Sequence, residues 1–275
     1  MKKTFKFSSI DWEGQGYFGC PSIDARDITS KLSLDNPWLS WLALFEQAKQ
    51  GDFANLSFLL DLYNQSDSPV FRRTCAILLG DAASFSDLEV LTDELRSPTE
   101  PDDYEAMIDY CNIISARGRL ADVPLLSSVY IEYAEIEDAD IIPVYISNLL
   151  EPEPGDISDP SELSSLGDFK AIVLNRYNEL AKFFGTDQVL VYGGEQFSVR
   201  RLASMILSAA SESYFPMDYR RKFEASTGIN CSHFYKGGSF QPLAASAIAE
   251  AFLDSLEADR YEDGVRYFFG HRIPN

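Results

Sequence analysis

Two histidines, His233 and His271, and four cysteines, Cys20, Cys75, Cys111 and Cys231, are the scarce residues whose types support nucleophilic, general-base or metal chemistry. Cys231-x-His233 offers two metal ligands, but a closed zinc site needs four, and no second pair has suitable spacing. A loop histidine beside a part-buried cysteine is the plainer reading. There is no G-x-S-x-G elbow and no catalytic-cysteine signature, so the spacing gives nucleophilic catalysis no support. Gly193-Gly194 and Gly237-Gly238 lack the G-K-[ST] or G-x-G-x-x-G context that wraps backbone amides around phosphate; they read as turn glycines. With 43 acids in 275 residues, carboxylate pairs arise at every spacing and lose their meaning. No EF-hand pattern is present. These residues predict no catalytic, cofactor or metal site, and a protein that is not an enzyme.

The acidity itself is uneven. Residues 1–162 hold 30 acids against 11 bases, whereas 163–275 hold 13 against 12. Between Arg119 and Lys170 there are 12 acids and no Lys or Arg. Phosphate backbones and anionic lipid headgroups repel a chain of net charge −20, so neither nucleic acid nor membrane is an expected partner, and a basic protein is. A solvated face that only kept the chain soluble would mix lysine with its carboxylates. The base-free stretch is therefore the expected contact surface, over Tyr130, Glu132, Tyr133, Glu135, Glu137, Asp138 and Asp140. Most aromatics on helical stripes read as core; Tyr133, whose stripe ends among Glu132, Glu135 and Glu137, reads equally as core or as an interface anchor ringed by carboxylates. The basic clusters Arg200-Arg201 and Arg220-Arg221-Lys222 read as solvated faces or internal partners of acidic helices, with a small anion site as the alternative.

The elements that position these residues are helical. Trp38, Trp41, Leu42 and Phe45 recur at helical spacing. So do Phe71, Cys75, Leu78 and Ala82; Val123, Leu126, Tyr130 and Tyr133; and Ile142, Tyr145, Ile146 and Leu149. Ser68 with Pro69 marks a helix start, and Ser86 with Glu89 has capping-box spacing. Asp102, Asp103 and Glu105 beside Pro101 predict an exposed loop. EPEPGDISDPSE, residues 151–162, reads as a linker and divides the chain into 1–155 and 156–275. In the second part, QVLVYGGEQFSV predicts a β-hairpin near 188–199. A last helix over about Pro242–Leu256 is predicted to carry Ala244, Ala247, Ile248, Ala251 and Phe252 on one face. We expect no signal peptide behind MKKTFKF, no membrane span, and reduced cysteines in the cytoplasm.

A shift of 35 residues lays Leu78-Leu79 on Ile113-Ile114 and Asp87-Leu88 on Asp122-Val123, the period of a two-helix repeat. SPVFRRTCAILLGDAASFSDLEVL resembles HEAT-type repeats, with an arginine early in one helix, a Leu-Gly near its end and an Asp opening the next. That resemblance covers residues 52–150. It implies an all-α, HEAT-like array, followed by a helical part with the small hairpin.

YRRKFEASTGINCSHFY and FQPLAASAIAEAFLDSLEADRYEDGVRYFFGHRIP resemble the end of a family of bacterial immunity proteins from polymorphic-toxin and contact-dependent competition systems. The Lys222-Phe223-Glu224 helix, the Gly228–Ser232 turn, the PLAA helix and Arg266–His271 carry the similarity over about 55 residues. The resemblance implies a cytosolic protein that neutralises a cognate toxin domain by occlusion, and it brings no catalytic residues with it. A structural reading stands beside it, in which the tail packs back on the helices and seals their end. The alternatives are a HEAT-like scaffold or adaptor for an endogenous partner, and a hydrolase or lyase.

Overall fold

The computed structural model describes residues 9–23, 32–96, 104–152, 155–210, 215 and 217–275. Among them the α-helices run α1 Pro37–Lys49, α2 Phe58–Asn64, α3 Pro69–Ala82, α4 Phe85–Arg96, α5 Tyr104–Arg117, α6 Val123–Tyr133, α7 Ile141–Leu150 and α8 Leu166–Phe184. The hairpin β1 Val191–Tyr192 and β2 Glu195–Gln196 leads into α9 Val199–Ala209 and α10 Met217–Thr227. A second hairpin, β3 Tyr235–Lys236 with β4 Ser239–Phe240, precedes α11 Pro242–Leu253, and a third, β5 Tyr267–Phe268 with β6 His271–Arg272, ends the chain. The protein is thus mainly helical with small two-stranded hairpins, as expected.

Local chemistry accounts for most element ends. Ser68 accepts from the Phe71 amide at 3.4 Å with Pro69 at the first helical position, so α3 starts where the cap predicts. Ser165 and Ser198 cap α8 and α9 in the same way, and α8 ends on Gly185 at φ 71°. Ser86 does not stand at the N-cap position of α4. α4 begins at Phe85, which puts Ser86 inside the helix, where its side chain cannot cap. Glu105 lies in the first turn of α5 rather than in a loop; Asp102 and Asp103 lie outside the described residues. The 35-residue shift carries Ala82, the last residue of α3, onto Arg117, the last residue of α5.

The hairpins follow one rule. Two central residues with positive φ make a turn whose twist matches the strands. Gly193 and Gly194 do this at 61° and 71°, Gly237 and Gly238 at 58° and 78°. The third hairpin, hidden from the glycine-pair signal, uses Phe269 at 48° and Gly270 at 79°. A phenylalanine in this region is disfavoured. It is held by the Phe269 amide to Ala225 O at 2.7 Å, the Gly270 amide to Ser226 O at 2.8 Å, and ring contacts with Phe45 and Tyr17.

The chain divides into two compact units, one built from residues 1–84 and 198–275, the other from 85–197. The division expected at 155 falls inside the second unit. There Ile157 is fully buried, and the Ser158 amide bonds to Gly155 O at 2.9 Å, so residues 155–162 form an anchored turn. In the first unit the core gathers Trp41, Phe45, Phe71, Phe223, Phe234 and Phe268. In the second it gathers Ile113, Ile114, Leu126, Ile142, Ile146 and Phe169. The predicted stripes face these cores, except on α11. That helix buries Ala245, Ala249 and Phe252 and leaves Ala247 and Ala251 exposed, so its inner face is rotated from the expected one.

Candidate protein-interaction surface

The second unit carries nearly all of the charge. Residues 85–197 hold 24 acids and 6 bases, a net of −18, whereas the other unit holds 19 and 17, a net of −2. Two of the six bases are consumed internally. Arg117, wholly buried, donates Nε and Nη2 to Asp122 at 2.7 and 2.8 Å, and Nη2 also to Thr92 at 3.0 Å. Arg119 reaches the same carboxylate at 2.9 Å and lies 3.5 Å from Glu89. Asp122, the first acid of the base-free stretch, is therefore a structural ion-pair partner and not part of the surface.

The α6–α7 turn presents the rest. α6 packs on α7 and α8, and Tyr130 near its end meets Phe169 near the start of α8 edge-on at 4.8 Å. Glu132, Glu135, Asp138 and Asp140 are exposed at this end and, among the described residues, form no ion pair. The Glu137 side chain lies outside the described residues. Tyr133 is half-buried, and burial, then the charge of Glu132, raises its hydroxyl pKa. Tyr130 is a correction to the expected surface. At 4 % exposure it belongs to the core and cannot anchor a partner. The turn thus keeps Glu132, Tyr133, Glu135, Asp138 and Asp140 together and loses Tyr130 to packing.

The first unit contains a buried polar cluster that no motif announced. The Tyr17 hydroxyl donates to Asp81 Oδ2 at 2.7 Å, and Arg221 clasps both oxygens of Asp81 at 3.0 and 3.1 Å. Arg220 and Glu224, both fully buried, hold the segment around Tyr17. Arg220 donates to Trp12 O and Gly14 O, while Glu224 accepts from the Tyr17 amide at 2.6 Å and the Cys231 amide at 3.3 Å. Burial pushes the Glu224 carboxyl up to about 7, against the opposing pull of Arg220 and the two amides. Burial likewise lowers Lys222 to about 8. Arg220 and Arg221 are thus internal partners, one of the roles expected for the basic cluster.

Arg266, in the motif at the chain end, donates Nη1 to Ala83 O at 2.7 Å and Nη2 to Gly80 O at 2.6 Å. It satisfies carbonyls at the end of α3, which have no intrahelical partners. Phe268 and Phe269 join Tyr17, Phe45 and Trp41 in one aromatic cluster. The tail does pack back on the helices. The sequence signal for this role was the arginine before an aromatic run.

His233 is exposed and lines an open groove of about 670 Å³ with Tyr235, Lys236, Gln241, Pro242, Leu243 and Ala244, none of them a carboxylate. His271 is exposed on β6 and packs over Gly51. All four cysteines are free, and burial raises the Cys111 and Cys231 thiols well above their ordinary range. Among the described residues no group of three or more His, Cys, Asp or Glu is placed to hold a metal ion, and no helix is long and apolar enough to cross a membrane. No protein-family model, no curated protein and no solved structure matches the chain.

Proposed function

We propose that this protein is an immunity protein that binds a cognate bacterial toxin domain and neutralises it by occlusion, without catalysis of its own. The observation that carries the reading is the net charge of −18 confined to residues 85–197, with Glu132, Glu135, Asp138 and Asp140 exposed at one turn. Such a surface complements a basic toxin, above all one whose active site must hold phosphate. It steers encounter at rates approaching about 10⁸–10⁹ M⁻¹s⁻¹ at low salt. Exposed ion pairs contribute only about 0–1 kcal/mol each, so tight inhibition also requires desolvated apolar contacts. With Tyr130 buried, Tyr133 is the aromatic group at this turn that can supply one.

Titration calorimetry with the toxin domain encoded by the adjacent reading frame tests this proposal. Binding that inhibits the toxin and weakens as salt rises is expected. A toxin that neither binds nor loses activity would sink it.

A HEAT-like scaffold for an endogenous protein is the second reading. It is favoured by the coincidence of the C-terminal ends of α3 and α5 under the 35-residue shift. Co-purification of one stoichiometric host protein, with no effect on the toxin, would select it.

A further inference from the structure

α11 has an unusual composition for a surface helix. Its twelve residues, PLAASAIAEAFL, include a single charge, Glu250, yet only Ala245, Ala249 and Phe252 are buried. An amphipathic surface helix turns polar residues outward, and one that is apolar all round is normally covered all round. Here the outward row is Leu243, Ala247 and Ala251, all exposed, with Leu243 at 88 %. Leu256, just past the helix, is 86 % exposed. Exposed Glu250 and Asp254 flank this apolar row toward the helix end.

The arrangement of this face indicates what covers it. The row is spaced at i, i+4 and i+8 with the large residue at one end and small ones in the middle and at the other end. Turned about a two-fold axis through Ala247, an identical helix places its own Ala251 opposite Leu243 and its Leu243 opposite Ala251. Each large side chain then meets a small one, and the two backbones approach closest at alanine. The charges obey the same symmetry. At the Leu243 end stand Lys236 and His233, both exposed, and among the described residues Lys236 has no ion-pair partner. At the other end Glu250 and Asp254 are exposed and, among the described residues, form no ion pair. The two-fold rotation brings the acidic end of one helix toward the basic end of the other. It also carries Leu256 toward the partner's groove beside β3 and β4, whose walls include Tyr235, Pro242 and Leu243. A surface complementary to itself in both shape and charge is what a closed two-fold dimer requires.

We infer that the outer face of α11 is a homodimer interface, in which two copies pack antiparallel about Ala247. This does not depend on the identity of the toxin.

The test uses the full chain. Sedimentation velocity is expected to show a concentration-dependent dimer, and Leu243→Asp to raise its dissociation constant by about tenfold or more. Ala247→Cys places two thiols on the symmetry axis, so mild oxidation is expected to give a disulfide-linked dimer from this variant and not from the wild type or from Ser208→Cys on α9. Asp254→Lys is expected to weaken the dimer, and Lys236→Glu added to it to restore association. A wild type that stays monomeric at hundreds of micromolar, with Ala247→Cys uncrosslinked, overturns the inference. So does a monomer in which Leu243→Asp abolishes toxin binding, because the face would then belong to the toxin. Near-ultraviolet circular dichroism matching the wild type shows that each variant remains folded.

Discussion

Arg221 and Asp81, 140 positions apart, meet in a two-point contact at 3.0 and 3.1 Å that joins α10 to α3. The carboxylate also accepts the Tyr17 hydroxyl at 2.7 Å. Removing one partner of a buried pair strands the other charge in a poorly solvated site, at a typical cost of about 3–5 kcal/mol. Asp81→Ala is therefore expected to lower the stability of the unit by about that amount in urea denaturation. Tyr17→Phe keeps the ring and loses one hydrogen bond, for about 1 kcal/mol. Equal losses from the two variants would contradict this assignment.

Arg266 supports the end of α3 through two carbonyls at once. The planar fork of guanidinium reaches both, and an ammonium group does not reproduce that geometry. Arg266→Lys and Arg266→Met are both expected to lower the melting temperature, with lysine giving little rescue. A lysine variant as stable as the wild type would show that charge alone suffices.

Glu224 gives stability a pH dependence of defined sign. Its carboxyl is raised from 4.5 to about 7 in the folded protein. Between those values the folded state holds a proton that the unfolded state has released, so this group's contribution falls as pH rises through that window. Glu224→Gln is expected to remove that component, which urea midpoints measured from pH 5 to pH 8 would reveal. An unchanged slope in the variant would assign the dependence to other groups.

At the acidic turn, Tyr130 and Tyr133 should separate stability from binding. Tyr130→Ala removes a buried ring packed on Phe169 and is expected to cost about 3–5 kcal/mol in stability. Tyr133→Ala is expected to change stability by much less and to weaken the toxin complex. Glu132→Lys with Glu135→Lys should chiefly slow association and flatten its salt dependence, as read by stopped-flow kinetics. Unaltered rates would move the contact surface elsewhere.

The helices were legible wherever a local rule governed them. Ser68-Pro69 marked the start of α3, Gly193-Gly194 and Gly237-Gly238 marked turns, and the 35-residue shift lays the end of α3 on the end of α5. The third hairpin escaped because Phe269 takes a conformation its own type disfavours, imposed by the Ala225 carbonyl and the rings around it. The candidate surface was legible as charge. Its membership was only partly so, since Tyr130 and Tyr133 share one helical stripe and differ in which neighbour covers them.

By itself the sequence determined the helical class, the turn chemistry and the excess of carboxylates, because these depend on residues a few positions apart. Tertiary structure alone decided that the charge belongs to residues 85–197, that Asp81 is paired by Arg221, and that the outer face of α11 is uncovered. It also assigned Arg266 to the end of α3. Each of these depends on a partner far away in the chain, and neither spacing nor composition encodes which distant group will arrive to pair, cover or leave a side chain exposed.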